Sequence, residues 1–243
     1  MIFNKLFRDI NVDAVMVPMH VRPGHFSQSL DSLLLIENVA GLIVTMPHKI
    51  QAASALSEGV PSSRVLIAGS ANALRRSDRG WEGDLFDGEG FAKGMISAGH
   101  VLKGKACAVV GCGGAGAAIA LALLDRDVAQ LSLWDTDARR SELLAARIGP
   151  LYNIEIIIRP PLKRNDIVIN ATPLGMNPTD SLPFNVDELR PDVVVAEVIM
   201  KPARTKLLVR AAELGFKTHE GRHMLDHQVD AIWDYFNLPR VTD

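Results

Sequence analysis

Lys105-Ala106-Cys107-Ala108-Val109-Val110-Gly111-Cys112-Gly113-Gly114-Ala115-Gly116 is the stretch from which the rest of the chain is read. An apolar run of strand length leads into Gly111-x-Gly113-x-x-Gly116, and the helix-forming residues Ala117 to Leu124 follow at once. A dinucleotide-binding turn needs that order. The first glycine permits a tight turn, the second lets the backbone approach a pyrophosphate, and the third lets helix and strand pack closely, with the helix N-terminus facing the anion. Glycine-rich turns also join strands to helices without binding anything, so the context decides. The next apolar strand, Gln130 to Trp134, ends in Asp135, roughly 20 residues beyond the fingerprint, where the ribose-binding acid of such a unit is expected. Gly111, Gly113, Gly114, Ala115, Gly116 and Asp135 are therefore the expected cofactor-binding residues, and hydride transfer is the expected chemistry. A carboxylate accepts hydrogen bonds from a free ribose 2'-hydroxyl and repels a 2'-phosphate, which favours NAD over NADP. Arg139 and Arg140 follow closely and leave two readings open, a phosphate clamp or a solvated helix face.

At 243 residues the chain exceeds a typical single domain, and the mid-chain fingerprint leaves about 100 residues ahead of it that need their own core. Two domains are expected. A content of 48% apolar and 22% charged residues is ordinary for a globular protein, and no apolar run is long enough to span a bilayer. A formal net charge of -2 with mixed signs gives no basic stripe for a phosphate backbone, so nucleic acid is not an expected partner. Cys107 and Cys112 show no metal-ligand spacing and read as packing residues in a reducing cytosol. The opening Met1 to Ile10 reads as an amphipathic helix rather than a signal peptide, and the expected location is cytoplasmic.

Ahead of the fingerprint, short apolar runs alternate with helical patterns: Asp13 to Pro18 as strand, His25 to Asn38 as helix, Gly41 to Thr45 as strand, Lys49 to Ser57 as helix and Ala71 to Arg76 as strand. This alternation predicts parallel βαβ units. Gly83 to Gly90 reads as a polar turn, and Phe91 to Ala98 as the opening of a connecting helix. Beyond it, strands are expected at 105–110, 130–134, 154–158, 166–170, 193–197 and 216–218, as in a doubly wound sheet, with a final helix over Met224 to Phe236 that packs back on the first domain.

Two loops hold candidates for chemistry, Val44 to Lys49 at a strand-to-helix junction and Gly83 to Gly88. If Lys49 and Asp87 meet in the interdomain cleft, the carboxylate orients the ammonium and a proton passes to or from a substrate hydroxyl as hydride moves. A lysine opening a helix also serves as a solvated charge, and an aspartate beside glycines as a turn or cap residue. His48, His219, His223 and His227 read as polar residues at the cleft rather than as a metal site, since no third ligand is evident, and no metal is expected. Trp81, Trp134 and Trp233 read as packing anchors.

Gly41-Leu-Ile-Val-Thr45-Met-Pro47-His-Lys49 resembles the substrate-loop signature of the shikimate dehydrogenase family. Gly69-Ser-Ala-Asn72-Ala-Leu74 resembles that family's GAxNTL, Gly83 to Phe91 its GxNTDxxGF, Gly111 to Gly116 its cofactor loop, Asn170-Ala-Thr-Pro-Leu-Gly-Met176 its NxTPxGM, and Gly221 to Gln228 its GxxMLxxQ. The likeness runs in order through essentially the whole chain. It implies Lys49 as acid/base with Asp87 as partner, Thr45, Asn72 and Gln228 on the substrate, and Thr172, Met176 and Gly221 near the nicotinamide. It also implies an N-terminal α/β substrate domain (1–92 with 221–243), a Rossmann-type doubly wound parallel-sheet domain (93–220) and a C-terminal helix returning to the first. The implied activity is reversible NAD(P)-dependent reduction of 3-dehydroshikimate to shikimate, or oxidation of quinate. The expected partner is thus a small cyclic hydroxy acid, with no membrane partner, in a monomer or homodimer.

Two departures bear on the substrate. The family carries a strand and a Ser-x-Ser-Pro type loop ahead of the helix that opens this sequence, and their hydroxyls hold the substrate carboxylate; without them the clamp is expected to be weaker. Leu85 and Phe86 stand where the family has Asn-Thr, so a donor to a substrate hydroxyl is expected to be replaced by carbon, at a cost of about 1 to 3 kcal/mol. Two further readings follow: a dinucleotide binder with reduced catalysis, and a dehydrogenase of a modified shikimate analogue.

Overall fold

A computed structural model describes residues 2–161 and 163–239, with the backbone alone at 57 and 58; Met1, Leu162 and the last four residues of the expected 221–243 segment lie outside it. The order of elements is α1 (Ile2–Asp9), α2 (Phe26–Leu34), β1 (Gly41–Ile43), α3 (Lys49–Ser54), β2 (Val60–Pro61), α4 (Ser63–Ala68), β3 (Ala73–Ser77), β4 (Gly80–Asp84) and α5 (Asp87–Ser97). It continues with β5 (Ala106–Val110), α6 (Gly114–Leu124), β6 (Gln130–Trp134), α7 (Ala138–Ile148), β7 (Ile156–Ile158), β8 (Ile167–Asn170), β9 (Val194–Glu197), α8 (Lys206–Glu213), β10 (Lys217–His219) and α9 (Arg222–Tyr235). The fold is α/β with two sheets.

The second sheet has the order β10-β9-β8-β5-β6-β7, parallel throughout, as the sequence predicts. Strand order reverses between β5 and β8, and in open sheets of this kind a ligand occupies the crevice beyond the strand ends at that switch. The loops flanking the crevice start at Gly111 and Ala171, both in the expected motifs. Helix α6 is buried along its length from Gly116 to Leu124, which explains an Ala/Leu-rich segment with no polar face.

The first sheet differs from expectation. Its order is β1-β3-β4-β2; β1 and β4 both run antiparallel to β3, and only β2–β4 is parallel. The hairpin between β3 and β4 closes through Gly80, whose φ of +98° is a conformation that residues with a Cβ rarely adopt. Asp13 to Pro18 is not a strand: Val15 and Val17 are 73% and 61% exposed, and no sheet pairing includes them. The carboxamide of Asn4 takes both backbone bonds of Met16, accepting from its amide (2.7 Å) and donating to its carbonyl (3.0 Å). Gly83 to Gly90 is likewise not a turn but the end of β4 and the first turn of α5, which begins at Asp87.

Helices α5 and α9 join the two sheets. A Cβ on Gly90 would lie 2.3 Å from the Met224 carbonyl oxygen, so the two backbones approach as only glycine allows. Farther along α9, Trp233 packs on Phe3 and Phe7 with ring centroids 6.1 and 5.5 Å away, tying the final helix to α1. Cys107 and Cys112 are buried thiols, each pushed up to about 12 chiefly by burial.

Candidate active site

Lys49 opens α3 and Asp87 opens α5, and the two ends face one another. Lys49 Nζ donates to Asp87 Oδ2 at 2.5 Å. Asn72, in the segment leading into β3, donates from Nδ2 to Asp87 Oδ1 and to Gln228 Oε1, each at 3.2 Å, while its Oδ1 accepts from the Phe86 amide at 2.9 Å. Four of the expected residues, from four parts of the chain, thus form one connected group. Asn72, Asp87 and Gln228 are buried. In such surroundings an ion pair is stronger than at a surface and its removal more costly. Thr45 lies exposed on the loop between β1 and α3, with its carbonyl accepting from the His48 amide.

His48 does not face this group. Its ring stacks on Phe26 at 4.6 Å, and its nitrogens meet the Val21 carbonyl (3.0 Å) and Gln51 Oε1 (3.1 Å), so it pins the segment before α2. Leu85 and Phe86, expected to put carbon where the family pattern has a donor, are both buried. Leu85, 2% exposed, packs in the apolar cluster with Leu42, Val44 and Leu74, and Phe86 joins Phe3, Phe7 and Trp233. Both side chains turn into cores in the short segment between β4 and α5.

The dinucleotide loop has the geometry its glycines require. A Cβ on Gly116 would lie 1.8 Å from the Gly111 carbonyl oxygen, whereas nothing stands within 4 Å of one on Gly113, so the loop is tight inside and open outside. Asp135 Oδ2 accepts from the Cys112 amide at 2.8 Å and Oδ1 from the Asp137 amide at 3.0 Å, which holds the carboxylate against the loop. Gly114 and Ala115 open α6, whose first amides lack intrahelical acceptors and suit an anion. Arg139 and Arg140 are exposed, and Arg140 turns towards Asp137 at 3.6 Å. These residues fit a nicotinamide dinucleotide.

The loop also touches both flanks of the cleft. A Cβ on Gly114 would approach Ser70 Oγ to 2.3 Å and Lys49 Cβ to 3.8 Å; one on Gly111 would approach Thr172 Cγ2 to 2.9 Å. Gly221 lies against the chain leaving β9, with a Cβ there only 2.4 Å from the Ile199 carbonyl oxygen, and Met176 is 45% exposed. The sequence reading missed Glu197, fully buried at the end of β9 and bonded to Asn170 of the Asn170–Met176 loop. A lone carboxylate closing an apolar strand was the available signal. Among the described residues no three His, Cys, Asp or Glu side chains converge to hold a metal.

Comparison with known proteins agrees with this geometry. The family model described as the shikimate dehydrogenase substrate binding domain matches residues 1–74. Shikimate dehydrogenase (NADP(+)) of Rubrobacter xylanophilus is 32% identical over 232 residues, 93% of this chain and 81% of that protein. Among solved structures, shikimate 5-dehydrogenase from Listeria monocytogenes in complex with shikimate and NAD has a TM-score of 0.82 at 25% identity, covering 97% of this chain and 89% of that one. Quinate dehydrogenase from Corynebacterium glutamicum in complex with NAD has a TM-score of 0.75 at 29% identity, covering 91% and 80%.

Proposed function

This chain belongs to the shikimate dehydrogenase family of NAD(P)-dependent oxidoreductases, and on that premise we propose that it interconverts a cyclic hydroxy acid and its ketone, of the shikimate or quinate class, with Lys49 as acid/base. The observation that carries the reading is the buried Lys49–Asp87 pair, knitted by Asn72 to Gln228 beside the dinucleotide loop. Nicotinamide, when bound, supplies or takes the hydride at the carbinol carbon. Lys49 gives its proton to the substrate oxygen in the reducing direction and recovers one from the hydroxyl in the other. Asp87 orients the ammonium and balances its charge, and Asn72 fixes the Asp87 rotamer through Oδ1. Thr45, Asn72 and Gln228 bind substrate oxygens. The residues divide as substrate domain 1–92 with 221–243 and cofactor domain 93–220.

NAD is the proposed cofactor. Asp135, held by the Cys112 and Asp137 amides, keeps a carboxylate at the end of β6 that would repel a 2'-phosphate bound beside it, and the neighbouring Arg140 is directed at Asp137. Gly111, Gly113, Gly114, Ala115 and Gly116 take the pyrophosphate, while Thr172, Met176 and Gly221 face the nicotinamide. Leu85 and Phe86, used in packing, supply no polar atom where the family pattern has Asn-Thr, so a polyol substrate is expected to bind less tightly than in the family. The test is absorbance at the reduced-nicotinamide band with shikimate and quinate, each offered with NAD and with NADP. Turnover of either acid, faster with NAD, is expected; silence with all four pairs while NADH still binds would overturn the reading.

A further inference from the structure

We propose that Glu197 is a positioning residue for the nicotinamide end of the cofactor, acting through Asn170 on the loop from Asn170 to Met176. The inference rests on the reading above that Thr172 and Met176 face that ring. Glu197 ends β9 with 0% exposure, and no Lys, Arg or His pairs with it among the described residues. A carboxyl taken wholly out of water without a cation survives only when its oxygens are filled by donors. Here they are. Oε1 accepts from Asn170 Nδ2 (2.9 Å), the Val198 amide (3.1 Å) and the Ile199 amide (3.4 Å); Oε2 accepts from Thr205 Oγ1 (2.9 Å).

Asn170 passes this constraint to the loop. Its Nδ2 also donates to the Leu174 carbonyl (3.0 Å), and its Oδ1 accepts from the Thr172 amide (3.0 Å) and Thr172 Oγ1 (2.7 Å). Thr172 Oγ1 in turn accepts from the Leu174 amide at 3.1 Å. The carboxamide of Asn170 can serve Thr172 only with its oxygen turned that way, and the Glu197 oxygens that accept from its nitrogen fix that nitrogen towards β9. The same Thr172 lies against Gly111, so the chain of bonds runs from the buried carboxyl to the wall of the cofactor crevice. Burial raises the Glu197 carboxyl to about 7, consistent with a group held by neutral donors rather than by a cation.

Glu197→Gln tests this with little change of shape. Asn170 Nδ2 lies against both carboxylate oxygens, 2.9 Å from Oε1 and 3.2 Å from Oε2, and an amide keeps only one of them as an acceptor, so one of these contacts becomes donor against donor and the hold on Asn170 weakens. Binding is measured by titration of NADH and, separately, of ADP-ribose, which carries the adenosine and pyrophosphate but no nicotinamide. The expected result is a fall of roughly tenfold in NADH affinity, the effect of about one hydrogen bond, with ADP-ribose affinity and melting temperature nearly unchanged. An equal fall for both ligands, or no fall for either, overturns the proposal. Wild-type protein that binds NADH no more tightly than ADP-ribose would instead overturn the reading that the loop faces the nicotinamide, and the proposal with it. Should Glu197→Gln not fold, Thr205→Val removes one donor to the carboxyl, and the same selective loss is expected, with a uniform loss counting against the proposal.

Discussion

Lys49 and Asp87, 38 residues apart in the chain, meet at 2.5 Å with their side chains only 13% and 3% exposed. Each stands at the first position of a helix, one following β1 and the other β4, so the pair is a product of the fold rather than of local sequence. Replacing Lys49 by Ala removes the proton donor and leaves a buried carboxylate with Asn72 as its remaining side-chain partner. Turnover should fall by about 10²- to 10⁴-fold, with NADH affinity within a few-fold of wild type. Steady-state rates with NADH titrations check it, and unchanged kcat would remove Lys49 from the mechanism.

Asp135 holds the Cys112 amide and, in the proposed mode of cofactor binding, faces the ribose. Asp135→Asn keeps an acceptor for that amide but removes the negative charge. The ratio of kcat/KM for NAD over NADP should shift towards NADP by about tenfold or more, since like-charge repulsion is relieved. An unchanged ratio would place the discrimination elsewhere.

Gly90 sits where α5 crosses α9. A methyl group there would meet the Met224 carbonyl oxygen at 2.3 Å and Gln228 Cβ at 2.8 Å, both part of a helix backbone or its root. Gly90→Ala is expected to lower stability by about 1 to 3 kcal/mol through overpacking and to raise the substrate KM by displacing Gln228. Thermal melts and KM values read the two effects separately.

Glu197 gives a pH dependence of unusual sign for a carboxyl. Its folded value of about 7 lies above the ordinary 4.5, so between those pH values the folded chain keeps a proton that the unfolded chain releases. Its contribution is complete below 4.5 and is lost as pH rises through 7. The stability of wild type relative to Glu197→Gln should therefore decline across that window and level off above it, as measured by denaturant melts at a series of pH values.

His219 acts in the opposite sense. Burial, reinforced by His223, His100 and His227, lowers it from 6.5 to about 3, and neither ring nitrogen has a partner among the described residues. The stability it contributes is present above 6.5 and is lost as pH falls towards 3, because only the unfolded chain takes up the proton over that range. His219→Phe should unfold at a lower pH than wild type in an acid titration followed by circular dichroism.

Much of the second sheet could be read directly, because each of its signals is local: an apolar run, a glycine turn and an Ala/Leu helix lie within a few residues of one another. The first sheet and its surroundings depart from the sequence reading in three places: the strand directions, residues 13–18 and residues 83–90. Alternation of apolar runs and helical patterns does not say which strand pairs with which, or in which direction. The β3–β4 hairpin makes that sheet mixed, and Asn4 satisfies the Met16 backbone that would otherwise call for a neighbouring strand. The place of Leu85 in the motif is visible in the sequence, whereas its burial is not.

By itself the sequence determined the residue types that chemistry needs: the glycines of the dinucleotide loop, the carboxylate after β6, and Lys49, Asn72, Asp87 and Gln228 in family order. Only the tertiary structure decided that Asn72 would meet both Asp87 and Gln228, the latter 156 residues away, and that Glu197 would be buried behind Asn170. Side-chain type is written in one residue, whereas convergence and burial are set by long-range packing of whole elements, here the crossing of α5 and α9, which no local pattern encodes.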